Sequence, residues 1–203
     1  DKYEIGAKWT YADDLPVVAI NWYMAAKYCN LLSKDEGVPE EQWCYETGAN
    51  GQVTKLKENY LSLSGYRLPT EAEMEYATRA GAGTSLYYGE TDELLGRYAW
   101  YTKNSNDVLQ RVGRKRPNEL GLFDAQGNCY TWCQDLFAAY PTGTGVVEDR
   151  ESGLVIDSTR SRVLRGGSFS FQASYVRSSN RVYNVPSYRA IYHGLRPSRT
   201  LRP

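Results

Sequence analysis

The stretch NELGLFDAQGNCYTWCQDL, residues 118–136, decides the fold class. Gly, Asn and Asp interrupt it every few residues, so no apolar stripe recurs at helical spacing, and it reads as turn, short strand, turn, short strand. VLRGGSFSF (163–171) continues the pattern as a strand broken by a Gly-Gly turn, and GLRPSRT (194–200) closes it as a short strand or extended tail. Toward the N-terminus the pattern changes. VVAINWYMAAKYCNLLSKDEG (17–37) reads as a short buried strand and then a helix. Asn21 is its N-cap, Ala25, Tyr28, Cys29 and Leu32 its apolar side, and Gly37 its stop. YRLPTEAEMEYATRAGAGT (66–84) is a second helix. Thr70 and Glu73 form a capping box, Met74, Tyr76 and Ala77 lie near one side, and Gly81 and Gly83 end it. Its three glutamates suit the positive end of a helix dipole. Two helices, many short strands and long loops make a mixed α+β fold. The chain has 203 residues with no linker composition and no tandem repeat, which predicts one domain over 1–203.

Composition excludes several function classes. Lys plus Arg and Asp plus Glu are 24 each, so the chain lacks the basic surplus usual in proteins whose main partner is nucleic acid, though a local basic patch is less constrained. RVGRKRP (111–117) is a local basic run and reads as a solvated loop. No apolar run approaches the roughly 20 residues of a membrane-spanning helix. The sequence begins DKYEIG, without Met and without a signal-peptide pattern, so targeting information is expected to lie on a removed N-terminal segment. Cys29, Cys44, Cys129 and Cys133 read as small buried apolar residues, since one histidine, His193, is too few for a zinc or non-haem iron site. That lone imidazole is also weak ground for a Ser–His–Asp triad. No P-loop, dinucleotide fingerprint or EF-hand loop is present, and Gly166–Gly167 is a turn rather than a phosphate cradle. Tyrosine is the compositional outlier at 18 residues, with five Trp beside it. Such a count marks an aromatic core or a surface built to bind.

The segment RGGSFSFQASYVRSSNRVYNVPSYRAIYHGLRP (165–197) alternates two kinds of residue. A frame of small and basic residues comprises Arg165 to Ser168, Arg177 to Arg181, Pro186, Ser187, Arg189, Gly194 and Arg196. The gaps hold Ser170, Phe171, Ser174, Tyr175, Val182, Tyr183, Asn184, Val185, Tyr188, Ala190, Ile191, Tyr192 and His193. Two readings compete. The gap residues are core, or they form an exposed apolar patch of the kind that marks binding surfaces. A core strand would alternate with period two, whereas Ala190, Ile191 and Tyr192 run together and Val185 precedes a proline, which suits loops.

The ordered motifs VVAINWYMAAKYCNLLS, YRLPTEAEMEYATRAG, YAWYTKNS, GRKRPNELGLFDAQGNCYTWCQD, RVLRGGSF and GLRP resemble the formylglycine-generating-enzyme/sulfatase-modifying family from about residue 15 to 199. The resemblance implies a C-type-lectin-like fold of twisted antiparallel strands, two main helices and much irregular loop. Oxidases of that family carry two active-site cysteines after GGS. The matching positions here are about Phe171 and Val176, so the resemblance implies a fold without the enzyme. Sulfoxide-forming members need histidines this chain lacks. The family's calcium turn matches residues 127–131, where Thr131 stands at the usual acidic position, so no metal and no cofactor is expected. The lectin signatures EPN and WND are absent.

Within that family the frame resembles the variable proteins of diversity-generating retroelements. In these, template asparagine codons are diversified by replacement of adenine. Changes at their first two bases reach Phe, Tyr, Val, Ile, Ala, Ser, His and Asp, but not Lys, Glu, Gln, Met or Trp. All thirteen gap residues lie in the reachable set, while Gln172 does not and reads as fixed. The resemblance implies a non-enzymatic, monomeric, surface-displayed or extracellular module, possible lipid anchoring included, with a variable segment at about 168–196. Its gap residues would project into one solvent-facing patch that binds a protein or other macromolecule.

Overall fold

Asn21 begins the first helix as the sequence predicts. Its side-chain oxygen accepts a hydrogen bond from the Met24 amide at 2.9 Å, filling one of the donors that a helix start leaves open. The computed structural model describes residues 12–140, 142 and 154–201. Helix α1 (Trp22–Asp35) buries Trp22, Ala25, Ala26, Cys29 and Ser33, and the chain leaves it through Gly37 at φ 72°. Tyr28, expected on the buried side, is exposed, because the buried stripe passes beside it. The strand expected just before α1 does not form. Ala19 takes φ 58°, which breaks an extended run, and Val18 makes a single bridge to Gly194.

Helix α2 (Glu71–Arg79) carries the full capping box. Thr70 Oγ1 accepts from Glu73 N at 3.1 Å, and Glu73 Oε2 accepts from Thr70 N at 2.9 Å. The helix ends one residue before Gly81, on Ala80 at φ 50°. Met74 is buried as expected, but Tyr76 is turned out to solvent. A single-turn helix α3 (Leu95–Tyr98) follows.

In chain order the strands are β1 (Tyr45–Thr47), β2 (Val53–Leu56), β3 (Tyr66–Arg67), β4 (Tyr130–Leu136), β5 (Arg162–Arg165), β6 (Arg181–Asn184), β7 (His193–Gly194) and β8 (Ser198–Arg199). Strands β1 and β2 form a hairpin, and β3 pairs antiparallel with β8. The central sheet has the order β6-β5-β4-β7, antiparallel except for the parallel β4–β7 pair. The opening stretch yields one strand, β4, rather than two. Its first part is held in turns by Gly121, Asp124, Gly127 and Asn128, all at positive φ.

Both faces of the central sheet are covered. Trp132 and Leu164 join Trp22, Ala25, Ala26 and Cys29 on the α1 side, while Cys133 and Val163 meet Met74 on the α2 side. The buried indoles of Trp22 and Trp132 are satisfied. Trp22 Nε1 donates to Cys133 O at 3.0 Å and Trp132 Nε1 to Ile20 O at 3.1 Å. The α2 glutamates do more than complement a dipole. Glu71 pairs with Arg181 at 2.6 Å, Glu75 with the buried Arg165, and Glu73 with Arg67 at 2.6 Å. Glu71 and Glu75 therefore tie α2 to the central sheet, and Glu73 ties it to β3.

Because β6 and β7 both run parallel to β4, residues 185–192 must carry the chain from one edge of the sheet to the other. Two backbone bonds pin this crossover to the start of α1. Trp22 N donates to Pro186 O and Ala19 N to Ala190 O, each at 3.1 Å.

Candidate ligand-binding surface

Frame and gap residues hold the C-terminal segment in different ways. The frame works through side chains. Arg165 Nη1 donates to Ser179 O at 3.0 Å and Asn180 O at 2.8 Å, and its Nη2 pairs with Glu75. Arg181 clamps Glu71 and donates to Ala138 O at 2.8 Å. Arg177 donates to Ser174 O, Arg196 to Phe123 O, and Ser178 accepts from Gln126. The Gly166–Gly167 turn takes φ 97° and 80°, and a Cβ on Gly167 would stand 2.9 Å from Tyr175 O. The turn reading is correct, and glycine is required there.

Gap residues hold the segment through the main chain. Phe171 O accepts from Thr102 N at 3.0 Å, Tyr192 O from Tyr130 N at 2.8 Å and Val185 O from Tyr188 N at 2.9 Å. Such bonds do not depend on side-chain identity. The gap side chains meet one another and, from beneath, the core. Phe171 packs edge-on to Tyr175 at 5.4 Å and to Tyr192 at 5.2 Å between ring centroids. Tyr188 and Tyr192 both contact His193. Tyr175, Tyr188, Val185 and Ile191 are 36–44% exposed, and Ser174 is exposed. Ser170, Asn184 and Ala190 are half-buried, as are Phe171, Val182 and Tyr192, which rest on the main core.

Two gap residues depart from a single solvent-facing patch. His193 is 1% exposed, because β7 pairs it with Tyr130 inside the sheet and Trp132 lies 5.1 Å from its ring. Burial lowers its pKa to about 4. Tyr183 lies opposite Val163, and Val182 opposite Leu164, so strand alternation puts them on opposite faces. Tyr183 stacks on Phe137 on the α2 side, where Arg181 lies over the rings of Phe137 and Tyr140. The aromatic cluster is therefore Phe171, Tyr175, Tyr188 and Tyr192, with Tyr183 on a separate flank.

Sequence reasoning missed the floor of this cluster. Tyr130 is 1% exposed, and its ring meets Phe171 at 5.4 Å and Tyr192 at 6.4 Å. The alternation of Tyr130 and Trp132 was visible, but the Tyr130–His193 pairing spans 63 positions and leaves no local signal. It missed a second surface too. Val17, Met24, Tyr28 and Leu31 line a groove of about 550 Å³ along α1 with Leu195 and Pro197.

The site gives little support to thiol or metal chemistry. Val176 is fully buried against Leu86, Leu95 and Ala99, and Phe171 belongs to the aromatic cluster. All four cysteines are free thiols. Burial raises the pKa of Cys29 and Cys133 far above the ordinary thiol range and that of Cys129 to about 12, opposite to the shift a nucleophilic thiolate needs. Among the described residues no group of three or more His, Cys, Asp or Glu side chains is arranged to hold a metal ion. The basic run 111–117 is a surface loop in which Arg111 and Arg114 reach Asp14. No described helix is long and apolar enough to cross a membrane.

Known proteins match this geometry over most of the chain. The model of the sulfatase-modifying factor enzyme 1-like domain matches residues 2–201. The formylglycine-generating enzyme of Streptomyces coelicolor is 36% identical over 145 residues, covering 63% of this chain and 44% of that enzyme. A chaperone protein of Paenibacillus barcinonensis is 26% identical over 146 residues, 60% of this chain and 52% of that protein. The chain thus spans about half the length of these curated relatives. Among solved structures, Treponema denticola variable protein 1 superposes with a TM-score of 0.79 at 30% identity, over 94% of this chain and 75% of that one. The fold is the α+β, C-type-lectin-like fold of the formylglycine-generating type, and the chain is similar to a variable protein within it. The protein belongs to the sulfatase-modifying factor enzyme 1-like domain family.

Proposed function

We propose that this chain is a single, non-enzymatic ligand-binding domain, displayed outside the cell or at its surface, whose segment 168–196 carries a site diversified by a retroelement. The observation that supports this most is the division of labour along that segment. Arg165 and Arg181 secure the fold through buried or half-buried side-chain bonds, whereas the gap positions contribute main-chain bonds and leave Tyr175, Tyr188 and Ile191 facing outward. A scaffold built this way tolerates change where it touches a partner. The other twelve gap positions remain the proposed contact set, with Tyr183 on the flank, while the buried His193 supports Tyr188 and Tyr192 from beneath. Large, stiff aromatic rings give contact area at low entropic cost, which suits a protein or other macromolecular partner. Nucleic acid is disfavoured by the zero net charge.

The test replaces Tyr175, Tyr188 and Ile191 together by Ser. The triple variant is expected to keep its cooperative unfolding within a few degrees of the parent and to lose any peptide binders selected against the parent. An unfolded triple variant would make the cluster core and end the proposal. The competing reading, an oxidase, takes its support from the enzymes in the family. Copper-dependent turnover of a peptide thiol by the purified chain would establish it.

A further inference from the structure

Beneath the aromatic cluster lie two buried polar atoms without a hydrogen-bond partner, Tyr130 Oη and His193 Nδ1. Both residues are 1% exposed. Buried polar atoms are nearly always bonded, and each exception calls for a reason. Tyr130 points into the cluster. Its ring is edge-on to Phe171, Tyr192 and His193. Burial raises the Tyr130 pKa, so the group stays a neutral O–H. Nothing in the surrounding gap set carries a charge.

Tyr130 also differs from its neighbours in kind. It lies on β4, far outside the segment 168–196. Every version of a diversified surface would keep it.

We infer that Tyr130 is a fixed polar anchor at the bottom of the variable surface, which receives an uncharged hydrogen-bonding group carried into the cluster on an apolar stem, as an amide side chain of a protein partner would be. This rests on the binding-surface reading and adds to it an invariant requirement on the partner. An ion would have to shed its hydration among Phe171, Tyr175 and Tyr192, a cost that an uncharged amide avoids. A purely apolar tip would leave the Tyr130 hydroxyl unbonded, which also weakens binding.

The experiment uses random dodecamer peptides displayed on phage, selected on the immobilised chain and then made synthetically. Binding is compared across the parent, Tyr130→Phe and Tyr188→Ser, with the melting temperature of each. The inference predicts binders that share an Asn or Gln flanked by apolar residues. Tyr130→Phe weakens them about tenfold with a melting temperature unchanged or raised, and changing the peptide amide to Leu causes no further loss in that variant. Peptides that bind Tyr130→Phe as well as the parent yet lose affinity for Tyr188→Ser overturn the anchor and leave the surface standing. Peptides indifferent to both substitutions overturn the surface as well. A fall of several degrees in the melting temperature of Tyr130→Phe would show that the hydroxyl is bonded within the fold, and that too overturns the anchor.

Discussion

Replacing Arg165 by Met tests whether the frame carries the stability of the C-terminal segment. Arg165 is 1% exposed and holds four groups, Ser179 O, Asn180 O, Glu75 and, at 3.7 Å, Glu71. Methionine keeps much of the volume and removes every donor. Breaking a buried pair from one side costs about 3–5 kcal/mol. Glu75 is 28% exposed and is rescued in part by water, so the lower end, about 3 kcal/mol, applies. In a domain of this size each kcal/mol moves the melting temperature by about 2–4 °C, so Arg165→Met is expected to melt about 6–12 °C lower. Tyr188→Ser, at a 44% exposed gap position, is the control and is expected to cost under about 1 kcal/mol. Thermal unfolding followed by circular dichroism reads both. Equal shifts, or a larger one for Tyr188→Ser, would refute the division between frame and gap.

Acid should destabilise the fold through His193. Its folded pKa of about 4 lies below the ordinary 6.5, so the unfolded chain takes up the proton first. The imidazole's contribution, up to about 3 kcal/mol, is whole above pH 6.5 and is lost as pH falls toward 4. His193→Gln should flatten urea-unfolding stability across that window, and an undiminished slope would place the titrating group elsewhere. Cys29, Cys44 and Cys133 are fully buried and should resist iodoacetamide in the native chain at pH 8, with full labelling only after unfolding. Rapid native labelling would reopen thiol chemistry. Gly167→Ala, strained by φ 80° and by contact with Tyr175 O, should cost about 1–3 kcal/mol in chemical denaturation, and a neutral result would deny the tight turn.

The sequence announced features set within a few residues. Asn21, the Thr70–Glu73 box and the Gly166–Gly167 turn all act locally, and each stands where its neighbours imply. Features set by partners far along the chain were hidden. Glu71 and Glu75 read as helix-dipole residues until Arg181 and Arg165, 110 and 90 positions away, come to meet them. His193 read as part of an exposed run, and only its register with Tyr130 buries it. Tyr183 follows the period-two rule, but the rule needs a strand, and β6 is recognisable only by its pairing with β5. Tyr28 and Tyr76 show the same limit from the other side. Apolar spacing placed them near a core whose actual stripe runs beside them, and both are exposed.

Sequencing the gene together with its flanking DNA tests the central claim most directly. The account predicts a near-copy of the region encoding residues 168–196, beside a reverse transcriptase, that differs from the gene only where the copy has adenine and only at the gap codons, with Arg177, Arg181, Arg189 and Arg196 unchanged. A locus with no such copy, or one whose differences fall on Arg177, Arg181 or Arg189, would contradict it.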